Sequence, residues 1–200
     1  QTSSEDCATN AALRMLEKHD RLLSPEELKS SKDPNMFPPK VIGFFKSSFQ
    51  EPILDEGFDE IEDALFERKW GNECVNKVAI FDYDGTIRQV SKNSTNGMYP
   101  VNKSEIQIMP GRKEKLQEYK NKGYLLLGIS NQSGVDKGIL SWDDCNMLFQ
   151  HTNKLLGHDI DYLFCPHTSS PGKCYCRKPY NGHVMMFVQK YKISLEDSIF

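Results

Sequence analysis

No run of apolar residues in this chain approaches the roughly 20 needed to span a bilayer; the longest, such as Tyr124 to Ile129, stop far short. The start, Gln1-Thr2-Ser3-Ser4, has no basic stretch followed by an apolar one, so a secretory signal is absent and a cytoplasmic setting is expected. It also lacks an initiator methionine, and the text stops at Ser198-Ile199-Phe200 inside what reads as a strand, so a fragment cut at both ends is expected. No G-x-x-x-x-G-K-[ST] phosphate loop occurs, which leaves no basis for kinase activity. There is no low-complexity or collagenous text either. Apolar residues make up 38% of the 200, and the 13 glycines bring that close to the globular norm of about 45–50%. One packed core is within reach; two large ones are not.

The net charge of −3 is divided unevenly. Residues 1–75 hold 9 Lys/Arg against 16 Asp/Glu, a balance of −7, whereas residues 76–200 hold 16 against 12, a balance of +4. The asymmetry suggests two modules, an acidic segment 1–75 and a domain 76–200. The mildly basic part is compatible with a phosphorylated ligand. In the acidic part, Ala11, Ala12, Met15 and Leu16 give a helical stripe over Asn10 to Lys18. Ser24-Pro25-Glu26-Glu27 reads as a helix cap with proline and acids in the first turn. Pro34, Pro38 and Pro39 then interrupt, and the segment offers too little periodic apolar surface to fold well alone, as a tail or a packing appendage would.

From Lys77 the pattern changes. Strands at Val78–Phe81, Tyr124–Ser130 and Ile160–Phe164 alternate with helices at Arg112–Asn121, Trp142–Leu156 and Gly182–Lys192, and a fourth strand begins at Ser198. That alternation predicts an α/β fold with a doubly wound parallel sheet, in which ligands bind at the carboxyl ends of the strands. The polar residues following each strand are therefore the ones to inspect.

After the first strand stand Asp82 and Asp84, one residue apart and followed by Gly85. One carboxylate there is suited to attack phosphorus and the other to move the proton of the leaving oxygen. Their mutual repulsion invites a hard cation such as Mg2+, although an Asp-x-Asp-Gly can equally be a solvated turn. After the second strand, Ser130 and Asn131 open a Ser-Asn-Gln-Ser-Gly loop whose hydroxyl and amides suit a phosphate, or serve as an ordinary loop. After the third come Cys165, His167, Cys174 and Cys176, a Cys-x-His, six residues, Cys-x-Cys pattern that matches a closed tetrahedral Zn2+ site. Disulfides are the competing reading, disfavoured without a secretory signal. Since all four positions are filled, the zinc is expected to be structural, pinning the loop Thr168 to Lys173. Arg177 and Lys178 follow the last ligand directly and can clamp a phosphate. Cys7, Cys74 and Cys145 show no partner pattern.

Taken in order, Asp82-x-Asp84-Gly85-Thr86, Ser130-Asn131-Gln132 and Cys-x-His … Cys-x-Cys-Arg-Lys-Pro resemble the haloacid dehalogenase superfamily over residues 77–200. Within it they resemble the zinc-containing subgroup with histidinol-phosphate and heptose bisphosphate phosphatases. The resemblance implies a Rossmann-like sheet, Asp82 as a nucleophile forming aspartyl-phosphate, and Asp84 as general acid and base. It further implies Ser130 as the phosphate-contacting hydroxyl, Lys178 as the cation beside nucleophile and phosphate, and Arg177 as a substrate contact. Asp82 and the Asp84 backbone carbonyl would hold Mg2+. The family's Gly-Asp pair after the last strand falls beyond Phe200, so the chain as given is expected to bind Mg2+ poorly. Only Arg88 to Met109 is long enough to serve as a lid, so the cap is minimal and the site open. A second resemblance, over about residues 10–67, is to the end of the kinase domain of polynucleotide kinase-phosphatases, carried by Phe49-Gln50-Glu51-Pro52 and Glu56-Gly57-Phe58-Asp59-Glu60-Ile61.

The expected activity is that of a Mg2+-dependent phosphomonoesterase acting on a phosphorylated small molecule, such as a sugar phosphate or a histidinol phosphate-like compound. The alternatives are a phosphatase for a nucleic-acid 3′ end and, in another class, a catalytically silent zinc-stabilised binding module. No membrane partner is expected, and the oligomeric state is left open.

Overall fold

The computed structural model describes residues 2–92, 94, 97–169 and 173–200. Asn93, Thr95 and Asn96 of the expected lid and Ser170, Pro171 and Gly172 of the expected zinc-pinned loop lie outside the described residues.

Three parallel strands form the centre. β1 (Val78–Phe81) pairs with β4 (Leu125–Asn131), which pairs with β5 (Asp161–Cys165). The expected fourth strand is reduced to a single parallel bridge in which Ile199 exchanges hydrogen bonds of 2.8 and 2.9 Å with Ile80 and Val78 on the free edge of β1. Successive strand residues face opposite sides, and this sorts the core into two layers. Val78, Ile80, Leu127 and Ile129 pack on α1 (Ser4–His19) and α6 (Gly182–Tyr191). On the other side Ala79, Leu126 and Phe164 meet α4 (Arg112–Asn121) and α5 (Trp142–Leu156) through Leu116, Phe149 and Leu156. Helices on both faces make the sheet doubly wound.

The acidic N-terminal segment is more ordered than its composition suggests. α1 begins at Ser4, six residues before the expected start, because the Ser3 hydroxyl accepts the Asp6 amide at 3.0 Å and satisfies one open donor of the first turn. Its stripe of Ala11, Ala12 and Met15 is fully buried in the same core as α6. α2 (Pro25–Ser30) carries the expected cap, with Ser24 and Glu27 each accepting the other's backbone amide. The prolines read as interruptions instead open a helix, α3 (Lys40–Ser48). Pro39 sits at its N-cap with helical backbone angles, and the Pro38 carbonyl accepts the Val41 amide.

A short antiparallel ladder of β2 (Arg88–Val90) and β3 (Ile106–Ile108) flanks the lid segment. Strands of three residues carry too short an alternation to be visible in the sequence.

Gly182 opens α6 directly against the Cys174–Cys176 loop. Its amide donates to the Tyr175 carbonyl at 3.1 Å, and an added Cβ would lie 2.4 Å from that oxygen. A backbone atom cannot swing aside, so Gly182→Ala is expected to destabilise the fold by about 1–3 kcal/mol despite alanine's better helix propensity. Urea unfolding checks this, and an alanine variant as stable as the parent would refute the close approach.

Candidate functional site

The carboxyl ends of the three strands converge. Beyond Phe81, which is level with Gly128, β1 delivers Asp82, Tyr83 and Asp84. β4 ends in Ser130 and Asn131, and Asn131 is level with Cys165 at the end of β5. The Gln132 amide donates to the Cys165 carbonyl at 2.7 Å, so the polar loop after β4 and the loop of soft ligands are sewn together.

Lys178 reaches this point by a double anchor. Its backbone N–H donates to Asn131 Oδ1 at 3.0 Å, and Asn131 Nδ2 donates back to its carbonyl at 3.3 Å. Nζ then lies 3.0 Å from the Ile129 carbonyl and 2.8 Å from Asp82 Oδ2. Asp82 and Lys178 are 40% and 35% exposed, so both are accessible to solvent rather than enclosed in the core. Asn131, expected as a substrate contact, thus spends both side-chain polar atoms on the Lys178 backbone. The Arg177 guanidinium donates to the His167 carbonyl at 2.8 Å and borders, with Lys173 and Lys178, a cavity of about 310 Å³. Another cavity, of about 720 Å³ beside Leu125 and Asp161, lies at the opposite ends of the strands and gathers none of these groups.

Asp84 is held differently from Asp82. Its Oδ1 accepts from Arg88 Nε at 2.7 Å and its Oδ2 from Gln132 Nε2 at 2.6 Å, and the same amide nitrogen donates to Ser130 Oγ at 2.9 Å. Ser130, expected to contact phosphate, is nearly fully buried, its hydroxyl held by Gln132. Arg88 and Gln132 were not singled out from the sequence. Arg88 opens the segment expected to be a lid and a lid residue faces solvent, whereas here the side chain turns inward and is 1% exposed. Nothing in a single sequence distinguishes those two directions.

Cys165, His167, Cys174 and Cys176 meet as the spacing predicted, each offering one ligand atom and all within 4.8 Å of one another. The Cys165–Cys174, Cys165–Cys176 and Cys176–His167 Nδ1 separations are 3.7, 3.3 and 3.3 Å, and Cys165 lies 3.5 Å from His167 Nδ1. A tetrahedral zinc with bonds of about 2.3 Å to sulfur and 2.0 Å to nitrogen requires ligand–ligand edges of roughly 3.5–3.8 Å. The donor set therefore fits Zn2+ with little movement. The six cysteines are all unpaired, which sets aside the disulfide reading for the structure as described. Hydrogen bonding with Cys165 raises His167 to about 10 and holds the Cys174 thiol well below its usual range, while contact with Cys165 and Cys174 pushes the Cys176 thiol up. Among the described residues no helix is long and apolar enough to cross a membrane.

The chain is similar to known proteins. The family model described as polynucleotide kinase 3 phosphatase matches residues 77–200. A D-glycero-beta-D-manno-heptose-1,7-bisphosphate 7-phosphatase of Helicobacter pylori is 34% identical over 129 residues, spanning 62% of this chain and 70% of its own length. The protein of that name from Haemophilus influenzae is 32% identical over 135 residues, with the same shares of 62% and 70%. Among solved structures, the D,D-heptose 1.7-bisphosphate phosphatase from B. bronchiseptica, complexed with magnesium and phosphate, shares the fold with a TM-score of 0.51 at 23% identity. That match spans 60% of this chain and 66% of the other, just under two thirds.

His183, in the first turn of α6, generates a test of its own. Its Nδ1 is buried with no hydrogen-bond partner among the described residues, and burial lowers the ring to about 4. The unfolded chain binds a proton near pH 6.5 that the folded protein refuses until about pH 4, so stability is full above that window and falls as pH drops through it. Between pH 7.5 and 4.5 the parent should lose about 2–3 kcal/mol more than His183→Leu in urea unfolding. Carboxylates titrate alike in both proteins and cancel. Parallel pH profiles would show that His183 is solvated.

Proposed function

The chain belongs to the polynucleotide kinase 3 phosphatase family, and from that premise we propose that it hydrolyses a phosphomonoester carried on a sugar hydroxyl, through Asp82. The observation that carries this reading is the accessible Asp82 carboxylate, 2.8 Å from Lys178 Nζ at the mouth of the sheet, with a second, differently held carboxylate two residues on. In the first step Asp82 attacks phosphorus, the bond from phosphorus to the sugar oxygen breaks, and Asp84 supplies the proton that oxygen needs. In the second step Asp84 takes a proton from water as that water attacks the aspartyl-phosphate, which releases inorganic phosphate and frees Asp82. Lys178 offsets charge on the transferring group, and the Arg177 side of the cavity takes the remainder of the substrate. The Asp82 carboxylate and the Asp84 carbonyl are hard oxygen donors of the kind Mg2+ selects while keeping several waters. When bound there, Mg2+ supplies positive charge to offset that of the phosphate and the carboxylates.

The leading substrate class is a small phosphorylated sugar, supported by the names of the relatives at 32–34% identity. A polynucleotide 3′-phosphate is the second reading, favoured by the description of the matching family. Turnover of heptose bisphosphate, histidinol phosphate and a 3′-phosphorylated oligonucleotide by the full-length gene product separates them. No turnover of any would favour a binding module.

Asp82→Asn should abolish turnover, because no phospho-enzyme can form. Asp84→Asn should fall by about 10²–10⁴-fold on an alkyl phosphate, and by less on a nitrophenyl ester, whose leaving group hardly needs a proton. Full activity of Asp82→Asn would overturn the covalent mechanism.

Zn2+ is proposed for the Cys165–His167–Cys174–Cys176 cluster as a structural ion. Elemental analysis should find about one zinc per chain, and removing it should lower stability, since a closed site contributes its binding energy to folding. A metal-replete preparation without zinc, with Cys174 and Cys176 freely alkylated, would sink this assignment.

A further inference from the structure

A charged group in a protein interior is costly unless paired, and replacing a buried pair by apolar side chains of similar size is often neutral or stabilising. Arg88 is such a group, 1% exposed beside the rings of Phe149 and Tyr83, whose centroids lie 4.7 and 5.5 Å from the guanidinium carbon. Asp84 is its one ion-pair partner among the described residues. The turn that joins them is tightly closed: the Arg88 amide donates to the Tyr83 carbonyl at 2.9 Å and the Gly85 amide to the Arg88 carbonyl at 2.8 Å, with Gly85 at φ +80°. At the far end, NH1 donates to the Leu148 carbonyl at 3.2 Å and to Thr152 Oγ1 at 2.9 Å, so the fork is fixed to α5. From the opposite side Gln132 Nε2 holds the other carboxylate oxygen.

We propose that Arg88, assisted by Gln132, is a positioning residue that fixes the Asp84 carboxylate for proton transfer to the leaving oxygen. The proposal rests on the reading of Asp84 as proton donor given above. Each carboxylate oxygen has about two acceptor positions, so one donor per oxygen leaves a second position for the proton being transferred. The orientation is set from α5 and β4 rather than by the substrate. When that proton passes to the oxygen leaving phosphorus, the resulting carboxylate already faces two donors, and no group has to reorganise. Arg88 itself touches neither substrate nor phosphate.

A scaffold role and a positioning role differ in what they do to substrates with unlike leaving groups. In the full-length gene product, Arg88→Met, Arg88→Lys and Asp84→Asn are compared on thymidine 3′-phosphate, an alkyl ester, and on 4-nitrophenyl phosphate, an aryl ester, with thermal unfolding in parallel. Arg88→Met should lose about 10–100-fold in kcat on the alkyl ester, the scale of a misplaced catalytic group, and under about threefold on the aryl ester. Arg88→Lys keeps the charge but not the fork, so it should recover part of the alkyl rate while retaining the preference for the aryl ester. It also decides the matter if the methionine variant does not fold. Equal losses on the two esters in the folded variants would overturn the proposal. If Asp84→Asn itself shows no preference between esters, the reading of Asp84 fails; if Asp84→Asn shows it and the Arg88 variants do not, only the present proposal fails.

Discussion

The reciprocal hydrogen bonds between the Asn131 side chain and the Lys178 backbone are the constraint on which the site depends. Among the described residues from Cys165 to Arg177, none after Cys165 lies in a helix or strand. Such a segment does not by itself define where its last residues lie. Two contacts fix it: the meeting of Cys165, His167, Cys174 and Cys176 at its waist, and the Asn131 amide at its exit. With both ends tied to the ends of β4 and β5, Lys178 has one direction left, toward Ile129 and Asp82. The site is thus precise because polar groups of the sheet ends hold the loop, not because the loop is rigid.

The two aspartates of one short motif are placed in opposite environments by this frame. Asp82 is 40% exposed and faces a lysine that is itself accessible, whereas the Asp84 side chain is 19% exposed and faces an arginine locked in the core. Residues i and i+2 of an extended strand share one face, but the backbone bends at Tyr83, beyond the end of β1, and the two carboxylates part. Here that bend leaves one acid beside the accessible Lys178 and the other in the seam with α5, a division suited to a nucleophile and a proton carrier that must not exchange roles. The cost falls on the interior, which has to accommodate a charged fork among Tyr83, Phe149 and Thr152.

The N-terminal segment contributes through packing. α1 lays Ala8, Ala11, Ala12 and Met15 on α6, and α6 abuts the loop of soft ligands through Gly182. Arg68, far along the acidic stretch, returns to α1 by donating to Asn10 Oδ1 at 2.6 Å. By contrast Phe44, Phe45 and Leu65 stay largely exposed, so the segment is anchored by α1, by Leu28 and Met36 and by the stretch at Arg68, and not by its whole length.

Much of this was legible in the sequence. Strands of uninterrupted apolar residues bounded by glycine and acids announced β1 and β4, and Ser141 announced α5 by the physics of helix capping. The Asp-x-Asp-Gly after a strand and the Cys-x-His … Cys-x-Cys pattern named the groups that meet, because ligand type and spacing are local properties. What stayed hidden depended on direction and distance. The inward turn of Arg88, the use of Gln132 as a bridge between Asp84 and Ser130, the capture of Lys178 by Asn131, and α3 opening at prolines that read as breaks all required the chain to be folded. The sequence determined which chemical groups the protein owns and the strands that end beside them. Tertiary structure alone decided which carboxylate stays accessible beside Lys178 and which faces a buried cation, because that choice is made by side chains brought together from 48 and 64 residues apart.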